Sequence, residues 1–324
     1  MSKYYKYDII IPCYNSHKTI ERTLASILMQ NNIEEIKITL VNDAGKDYSD
    51  TVRFFSKRLN IKEITYENNR GPGFARNYGR LNTNCKYLMF IDSDDCLAHS
   101  AAVETLGNYL DNNPKDMIII SNFIEERQDK TLKIRLKDTT FTHGKMYRRS
   151  YLEKYNILAN DQSYCCEDMS FNLLALLLLN QKTEIAEFVD YISYYWLCNE
   201  NSIGRTNRET YQHSVVVRGF IENLIWLFKQ LKIRNVDNEK IFHEKIVSMQ
   251  RACLMYSEHV ISYPQFEEGN RLILKKFYEN VYKEIEDKVT DDLFEELAKE
   301  VFTFEDAKTG IPALKTIINL LKCS

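Results

Sequence analysis

Two periodicities divide this chain. In its first third, short apolar runs, "YDIIIP" (7–12), "KITLVND" (37–43), "IKEITYEN" (61–68) and "YLMFIDSDD" (87–95), recur between segments of helical spacing. Runs of this length, rich in Ile, Val and Tyr and bounded by Asn, Asp, Gly and Pro, read as buried strands. Between the first two, Ser16 is placed to cap a helix whose apolar face is Ile20, Leu24, Ile27 and Leu28, at i, i+4, i+7 and i+8. A second helix follows "GPG" (71–73) and runs through "FARNYGRLN". Strand and helix in alternation predict an α/β fold, a mainly parallel sheet covered by helices on both faces.

From residue 117 the pattern changes. "MIIISNFIEE", "TLKIRL" and "TFTHGKMY" read as strands without clear helices between them. Helices are expected from near Arg148 and from Glu167 to Leu179, and "EFVDYISYYWL" (187–197) reads as strand. Beyond Asn207 nearly everything has helical spacing, over 210–232, 239–262, 264–287, 290–301 and 311–322. The organisation expected is a mixed α/β domain over 1–207 and an all-helical region over 208–324.

A chain of 324 residues, 44% hydrophobic and 12% aromatic, can bury a large core. Its net charge of -3, with both signs interspersed, excludes a broad field for gripping nucleic acid or an anionic membrane. The eight cysteines form no C-x-x-C pair and no zinc spacing, and read as reduced thiols of a cytosolic protein. No signal-peptide pattern is seen, and the most apolar stretch, "FNLLALLLLN" (171–180), is about half the length that spans a bilayer. The expectation is a cytoplasmic protein with no transmembrane segment, soluble or peripheral at the inner face of a membrane.

Ligands of open α/β sheets bind at the carboxyl ends of the strands. Here four successive ends carry "PCYNS" (12–16), "NDAG" (42–45), "ENNRGPG" (67–73) and "DSDD" (92–95). Each alone is adequate turn chemistry, yet four in succession point to a ligand. Asp43 could accept hydrogen bonds from a nucleobase edge or a ribose hydroxyl. "RGPGFARN" opens a helix, where free N–H groups favour a diphosphate, but it lacks both G-x-G-x-x-G and P-loop spacing. Alternation along an extended chain would put Asp92 and Asp94 on one side, where two carboxylates suit Mg²⁺ or Mn²⁺ bound to a diphosphate. A solvated acidic turn is the plainer alternative. Glu167 and Asp168, in "CCEDMSFNLL", stand at the start of a helix, either complementing its dipole or supplying a general base; spacing does not choose between them. The cations of "HGKMYRRS" (143–150) and "NSIGRTNRETYQH" (201–213) either close over phosphates or are surface charge.

Together, "DIIIPCYNSHKTIERTLASILMQ", "VNDAG", "NNRGPGFARNYG", "FIDSDD", "GKMYRRSYL" and "EDMSFN", in this order over about residues 7–200, resemble the inverting family 2 glycosyltransferases of GT-A fold. The resemblance implies a nucleotide-sugar donor, UDP-sugar foremost, and an acceptor hydroxyl on a glycan, protein, lipid-linked or other molecule. It implies that Pro12, Tyr14 and Asn15 line the nucleoside pocket, that Asp43 recognises the base, and that Gly73, Arg76 and Asn77 border ribose and diphosphate. Asp92, Ser93 and Asp94 match the DxD motif: Asp94 would bind Mn²⁺ or Mg²⁺ directly, and Asp92 would touch the nucleotide or reach the metal through water. Asp168 matches the carboxylate that takes the acceptor proton, with Glu167 beside it, and His213 is a candidate to complete the metal shell. Processive members carry Q-x-x-R-W; Trp196 and Trp226 are not preceded by arginine, which implies one sugar per encounter. The region 208–324 matches no motif and is left to acceptor binding, a homo-oligomer interface or surface association. Two other readings compete: an inactive nucleotide-sugar or glycan-binding subunit, and a nucleotidyltransferase, although "PCYNSHKT" lacks the glycine-rich basic loop of that class.

Overall fold

The computed structural model describes residues 5–163, 165–199, 212–262, 267–302 and 304–323, leaving aside the side chains of 212–214, 259, 262, 304–309 and 323. The chain divides into two compact units, Met1–Ser202 and Ile203–Ser324. The first contains β1 (Tyr7–Cys13), β2 (Ile36–Asn42), β3 (Asn60–Thr65), β4 (Tyr87–Phe90), β5 (Cys96–Leu97), β6 (Asp116–Glu126), β7 (Leu132–Arg135), β8 (Lys145–Arg148) and β9 (Ile185–Trp196). They form one sheet in the order β3-β2-β1-β4-β8-β6-β9-β5, with β7 on β6. The first four are mutually parallel, as expected from their alternation with helices. β8 then runs antiparallel to both β4 and β6, while β9 is parallel to β6, so the sheet is mixed.

Register places the site. Tyr7 pairs with both Ile36 and Tyr87, so the carboxyl ends of β1, β2 and β4 finish along one edge. The loops after Cys13, Asn42 and Phe90 therefore adjoin.

Helices α1 (Ile20–Leu28), α2 (Ser49–Phe55), α3 (Gly71–Leu81), α4 (Ala102–Asn112), α5 (Arg149–Lys154) and α6 (Glu167–Leu177) complete this unit. α1 buries Ile20, Leu24 and Ile27 in the core beside Ile9, Ile11 and Leu40. Ser16 does not cap it with its side chain: its carbonyl accepts the Ile20 N–H, and its hydroxyl lies 2.9 Å from the Tyr48 hydroxyl. The hydrophobic pattern did not single out α2 or α4. α2 buries only Phe55, and α4 packs partly through Ala102 and Gly107, small residues that such a pattern registers weakly.

Three expectations shorten or shift. The fourth strand ends at Phe90, because the chain turns at the acidic cluster, where the Asp95 N–H donates to the Asp92 carbonyl at 3.0 Å. "TFTHGKMY" is strand only from Lys145; before it, Asp138 Oδ1 accepts the N–H groups of Thr140 (2.8 Å) and Phe141 (3.0 Å) and holds a loop. The helix expected over 264–287 stops at Phe277 and passes into a π-helical turn, Tyr278–Tyr282.

The second unit holds α7 (Gln212–Ile233), α8 (Glu239–Ser262), α9 (Glu267–Phe277), α10 (Asp291–Ala298) and α11 (Phe304–Cys323). α7, α8 and α9 pack on one another, and α10 and α11 pack on α8. Ile221, Leu224, Met249, Phe277 and Leu314 are among the buried side chains. α11 begins earlier than the expected Ile311, and the apolar face of "IPALKTIINLLK" is buried through Leu314, Ile318 and Leu321. Among the described residues no helix is long and apolar enough to cross a membrane.

α3 seats tightly on the sheet. A Cβ at Gly79 would lie 2.5 Å from Ile10 Cγ2 and 3.0 Å from Val41 Cγ2, so glycine lets the helix backbone approach β1 and β2. Gly79→Val is expected to destabilise the fold by ~1–3 kcal/mol through overpacking, measured as a lowered urea midpoint. A variant as stable as the parent would show that α3 is not seated this closely.

Candidate active site

The first wall is built by loops that hold one another. The Asp43 N–H donates to the Cys13 carbonyl at 2.8 Å. Its buried carboxylate accepts the Arg70 N–H on Oδ1 (2.7 Å) and the Gly71 N–H on Oδ2 (2.9 Å). These are N–H groups at the start of α3, which have no partner within the helix, and the negative charge also complements the dipole there. Asp43 thus fixes where α3 begins. Asn15 adopts a left-handed φ of 55°, and its Oδ1 accepts the Lys46 N–H at 3.2 Å, joining the loops after β1 and β2. Pro12 is half-buried, while Tyr14 and Asn15 are exposed at this edge.

α3 then points inward. Arg76 is buried and forks: Nη1 donates to Glu167 Oε1, and Nη2 donates to Asp92 Oδ1 at 2.7 Å. Burial works against its charge, but Asp92 and Glu167 outweigh that and hold the guanidinium firmly protonated. One side chain therefore joins α3, the turn after β4 and the first turn of α6. Next to it, Asn77 pairs both ways with the backbone of Ala159, its Nδ2 donating at 2.9 Å and its Oδ1 accepting at 2.8 Å. A Cβ on Gly73 would lie 2.6 Å from the Asn160 carbonyl oxygen, so glycine is required where that segment crosses α3. Gly73 and Asn77, expected beside the ribose and diphosphate, meet the 159–160 segment here.

The acidic turn separates its carboxylates by environment. Asp92 keeps 31% of its side chain exposed. Burial would raise its pKa, but Arg76 and then His143 outweigh it and hold the carboxyl below the usual range. Asp94 Oδ2 accepts Asn199 Nδ2 at 2.7 Å, and Arg22 donates to the Asp94 carbonyl at 2.6 Å. Burial and then the nearby Asp92 raise Asp94. The two are thus close, although the turn, not an extended strand, brings them so. Ser93 lies within that turn. Asp95 is buried and ties the turn to β9: Oδ2 accepts the Tyr194 hydroxyl and Oδ1 accepts the Leu197 N–H, both at 2.8 Å. Burial, then Asp94 and Asp92, push its pKa well up.

His143 joins this group from the loop before β8. Its ring stacks on Tyr194 (centroids 4.8 Å) and on Phe141 (5.4 Å), and burial lowers its pKa to about 4. The imidazole is therefore neutral at neutral pH. Its Nδ1 is buried without a hydrogen-bond partner among the described residues. Asp92, Asp95 and His143 each offer one ligand atom, all within 4.8 Å of one another. Carboxylate oxygens with a neutral imidazole nitrogen are a donor set that fits Mn²⁺ or Mg²⁺, so the residues present are compatible with a divalent cation. Nothing in the local sequence pointed to His143 beyond its place in a string read for its cations. His213, the histidine singled out there, has its side chain outside the described residues, as does most of the 201–213 string.

Glu167 and Asp168 open α6 after Cys166, whose φ is 60°. Both share the helix N-terminus, yet only Glu167 is bonded to Arg76. Asp168 is half-buried, accepts the Met169 N–H at 2.8 Å, and faces a narrow space bordered by Arg76, Thr142 and Phe171. Burial, followed by the charge of Glu167, raises its pKa to about 7. A carboxylate poised there can take a proton from a hydroxyl near neutral pH.

The sequence model of Glycosyl transferase family 2 matches residues 8–176, just over half of the chain. The poly(ribitol-phosphate) beta-N-acetylglucosaminyltransferase TarS of Staphylococcus aureus strain Mu50 is 26% identical over 201 residues, 57% of this chain and 35% of TarS, so the chain spans about a third of that relative. The crystal structure of S. aureus TarS 1-349 in complex with UDP-GlcNAc matches with a TM-score of 0.68 at 19% identity, over 97% of this chain and 90% of that one. The mannosyltransferase PcManGT from Pyrobaculum calidifontis, in complex with GDP-Man and Mn²⁺, matches with a TM-score of 0.53 at 13% identity, over 98% and 86%. These structures share the mixed sheet with flanking helices, and the family match covers the strands up to β8, the acidic turn and the start of α6 described above, but not β9. The chain belongs to glycosyl transferase family 2 and has the GT-A fold.

Proposed function

We propose that this glycosyltransferase moves one sugar per encounter from a UDP-sugar to an acceptor hydroxyl, with inversion, and that Asp168 is its general base. The observation that carries this reading is the divided carboxylate pair on α6: Arg76 neutralises Glu167, while Asp168 retains a pKa of about 7. The UDP assignment is supported by the likeness to the S. aureus TarS structure in complex with UDP-GlcNAc.

Pro12, Tyr14 and Asn15 border the nucleoside on the open side of the edge. Asp43 serves recognition by ordering the α3 N-terminus, whose Arg70 and Gly71 backbone it holds. Asp92 and Ser93, kept in place by Arg76, face the donor, with Gly73 and Asn77 behind them. The acceptor oxygen forms its bond to the anomeric carbon on the side opposite the diphosphate, its proton passes to Asp168, and the bond from that carbon to UDP breaks. A single displacement inverts the carbon. Mn²⁺ or Mg²⁺ would be held at the acidic turn by Asp94 and Asp92, with Asp95 and His143 offering further donor atoms beside Asp92, and would offset charge on the departing diphosphate. Glu167, fixed by Arg76, orients the acceptor beside the base. Residues 1–207 form the catalytic domain, and 208–324 serve the acceptor or a homo-oligomer contact.

With Mn²⁺ present, the purified chain is expected to hydrolyse one UDP-sugar slowly, and Asp94→Ala to abolish this; a broad panel of nucleotide sugars without turnover would contradict the assignment. Asp168→Asn should retain donor affinity while transfer falls ~10²–10⁴-fold. Loss of donor binding instead would remove Asp168 from the role of base. Arg76→Met leaves buried Glu167 unpaired and should cost ~3–5 kcal/mol, read by denaturant unfolding. Parental stability in that variant would show that the fork does not hold the site together.

A further inference from the structure

β9 breaks register with β6 three times, twice in its middle. Ser121 pairs with Val189, Asn122 with Ile192 and Phe123 with Tyr194, so Asp190 and Tyr191 stand out of the ladder as a bulge. Bulges re-aim side chains. This one carries Tyr191 to His99, just beyond β5, where the hydroxyl lies 3.1 Å from Nδ1 and the rings meet edge-on at 4.9 Å. Asp190, beside it, accepts Asn122 Nδ2 at 3.0 Å and is exposed. With Ile124, Ile192 and Tyr195, these residues line an open cleft of about 440 Å³. That is the size of a small-ligand site, typically ~300–1,000 Å³. None of the residues assigned to donor, metal or base lines it, and the catalytic reading leaves the bulge without a purpose.

The lining selects a ligand class. Tyrosine rings beside isoleucines offer flat apolar surface for the C–H face of a sugar ring, while Asp190, His99 and the Tyr191 hydroxyl present hydrogen-bonding groups for its hydroxyls. Among the described residues no lysine or arginine lines the cleft and one carboxylate does, so a phosphate-bearing chain meets repulsion from that lining and a neutral one does not. The cleft is also within reach of the chemistry. His99 follows Asp94 by five residues, so their Cα atoms are at most about 18 Å apart. A chain of a few sugars can span that.

We propose that this cleft is a non-catalytic saccharide subsite that holds the neutral glycan portion of the acceptor while its terminal hydroxyl lies at Asp168. Its purpose rests on the glycosyltransfer reading above, but its occupancy is measurable without turnover. The test titrates the full chain with neutral gluco-, N-acetylgluco- and galacto-oligosaccharides, from monosaccharide to hexasaccharide, and with ribitol-phosphate oligomers, by calorimetry and saturation-transfer NMR. The expected result is that a neutral series binds, more tightly with length. Tyr191→Ala and Tyr195→Ala should each weaken it about tenfold, Tyr195→Phe should not, and Asp94→Ala should leave it unchanged. Binding of the anionic oligomers alone, binding by no series, or parental affinity in both alanine variants would overturn the proposal. UDP-sugar hydrolysis, followed on the same samples, should be unaffected by the tyrosine changes; its absence from the parent would count against the catalytic reading and not against the cleft.

Discussion

The site depends on one buried guanidinium shared between two carboxylates. Arg76 leaves α3 and divides its donors between Asp92, on the turn after β4, and Glu167, at the start of α6. A buried charge is tolerated only when paired and hydrogen-bonded, so the three elements must converge for any one of them to keep its charged residue. The planar fork fixes the geometry more tightly than an ammonium would. What it leaves out matters equally. Asp168, one residue from Glu167, receives no such partner among the described residues, and burial beside a second carboxylate lifts it to about 7. One ion-pair network thus assigns different chemistry to neighbouring acids.

The rest of the unit serves that convergence. Glycine at 79 lets α3 settle onto β1 and β2, glycine at 73 lets the 159–160 segment cross it, and Asp43 fixes where the helix begins. Across the site, Asp95 and Tyr194 anchor the acidic turn to β9, and Tyr194 in turn stacks on His143. The carboxylates of "DSDD" are therefore not equivalent: Asp92 belongs to the arginine, Asp95 to the fold, and Asp94 to neither.

Much of this was legible in the chain. The parallel strands, α1, α3 and the carboxyl-end loops followed from apolar runs separated by turn residues, because burial on both faces leaves a continuous signal. α2 and α4 escaped because their burial rests on few or small side chains. The candidate residues were also visible, but their contacts were not. Alternation along a strand was the ground for pairing Asp92 with Asp94, and the strand ends two residues too early for it to apply. The fork of Arg76 spans 91 positions in sequence to Glu167, and no local pattern encodes such a contact. His143 lies equally beyond local reading: a single histidine in a cationic string carries no sign that two acidic residues will fold against it.

The central claim is that the fork leaves Asp168 as a base near neutrality. It is tested most directly by following the Asp168 side-chain carboxyl carbon by NMR across a pH titration of the intact chain. The account predicts a midpoint near 7, raised by burial and Glu167. A midpoint in the ordinary carboxylate range, near the 3.8 of an unperturbed aspartate, would contradict it.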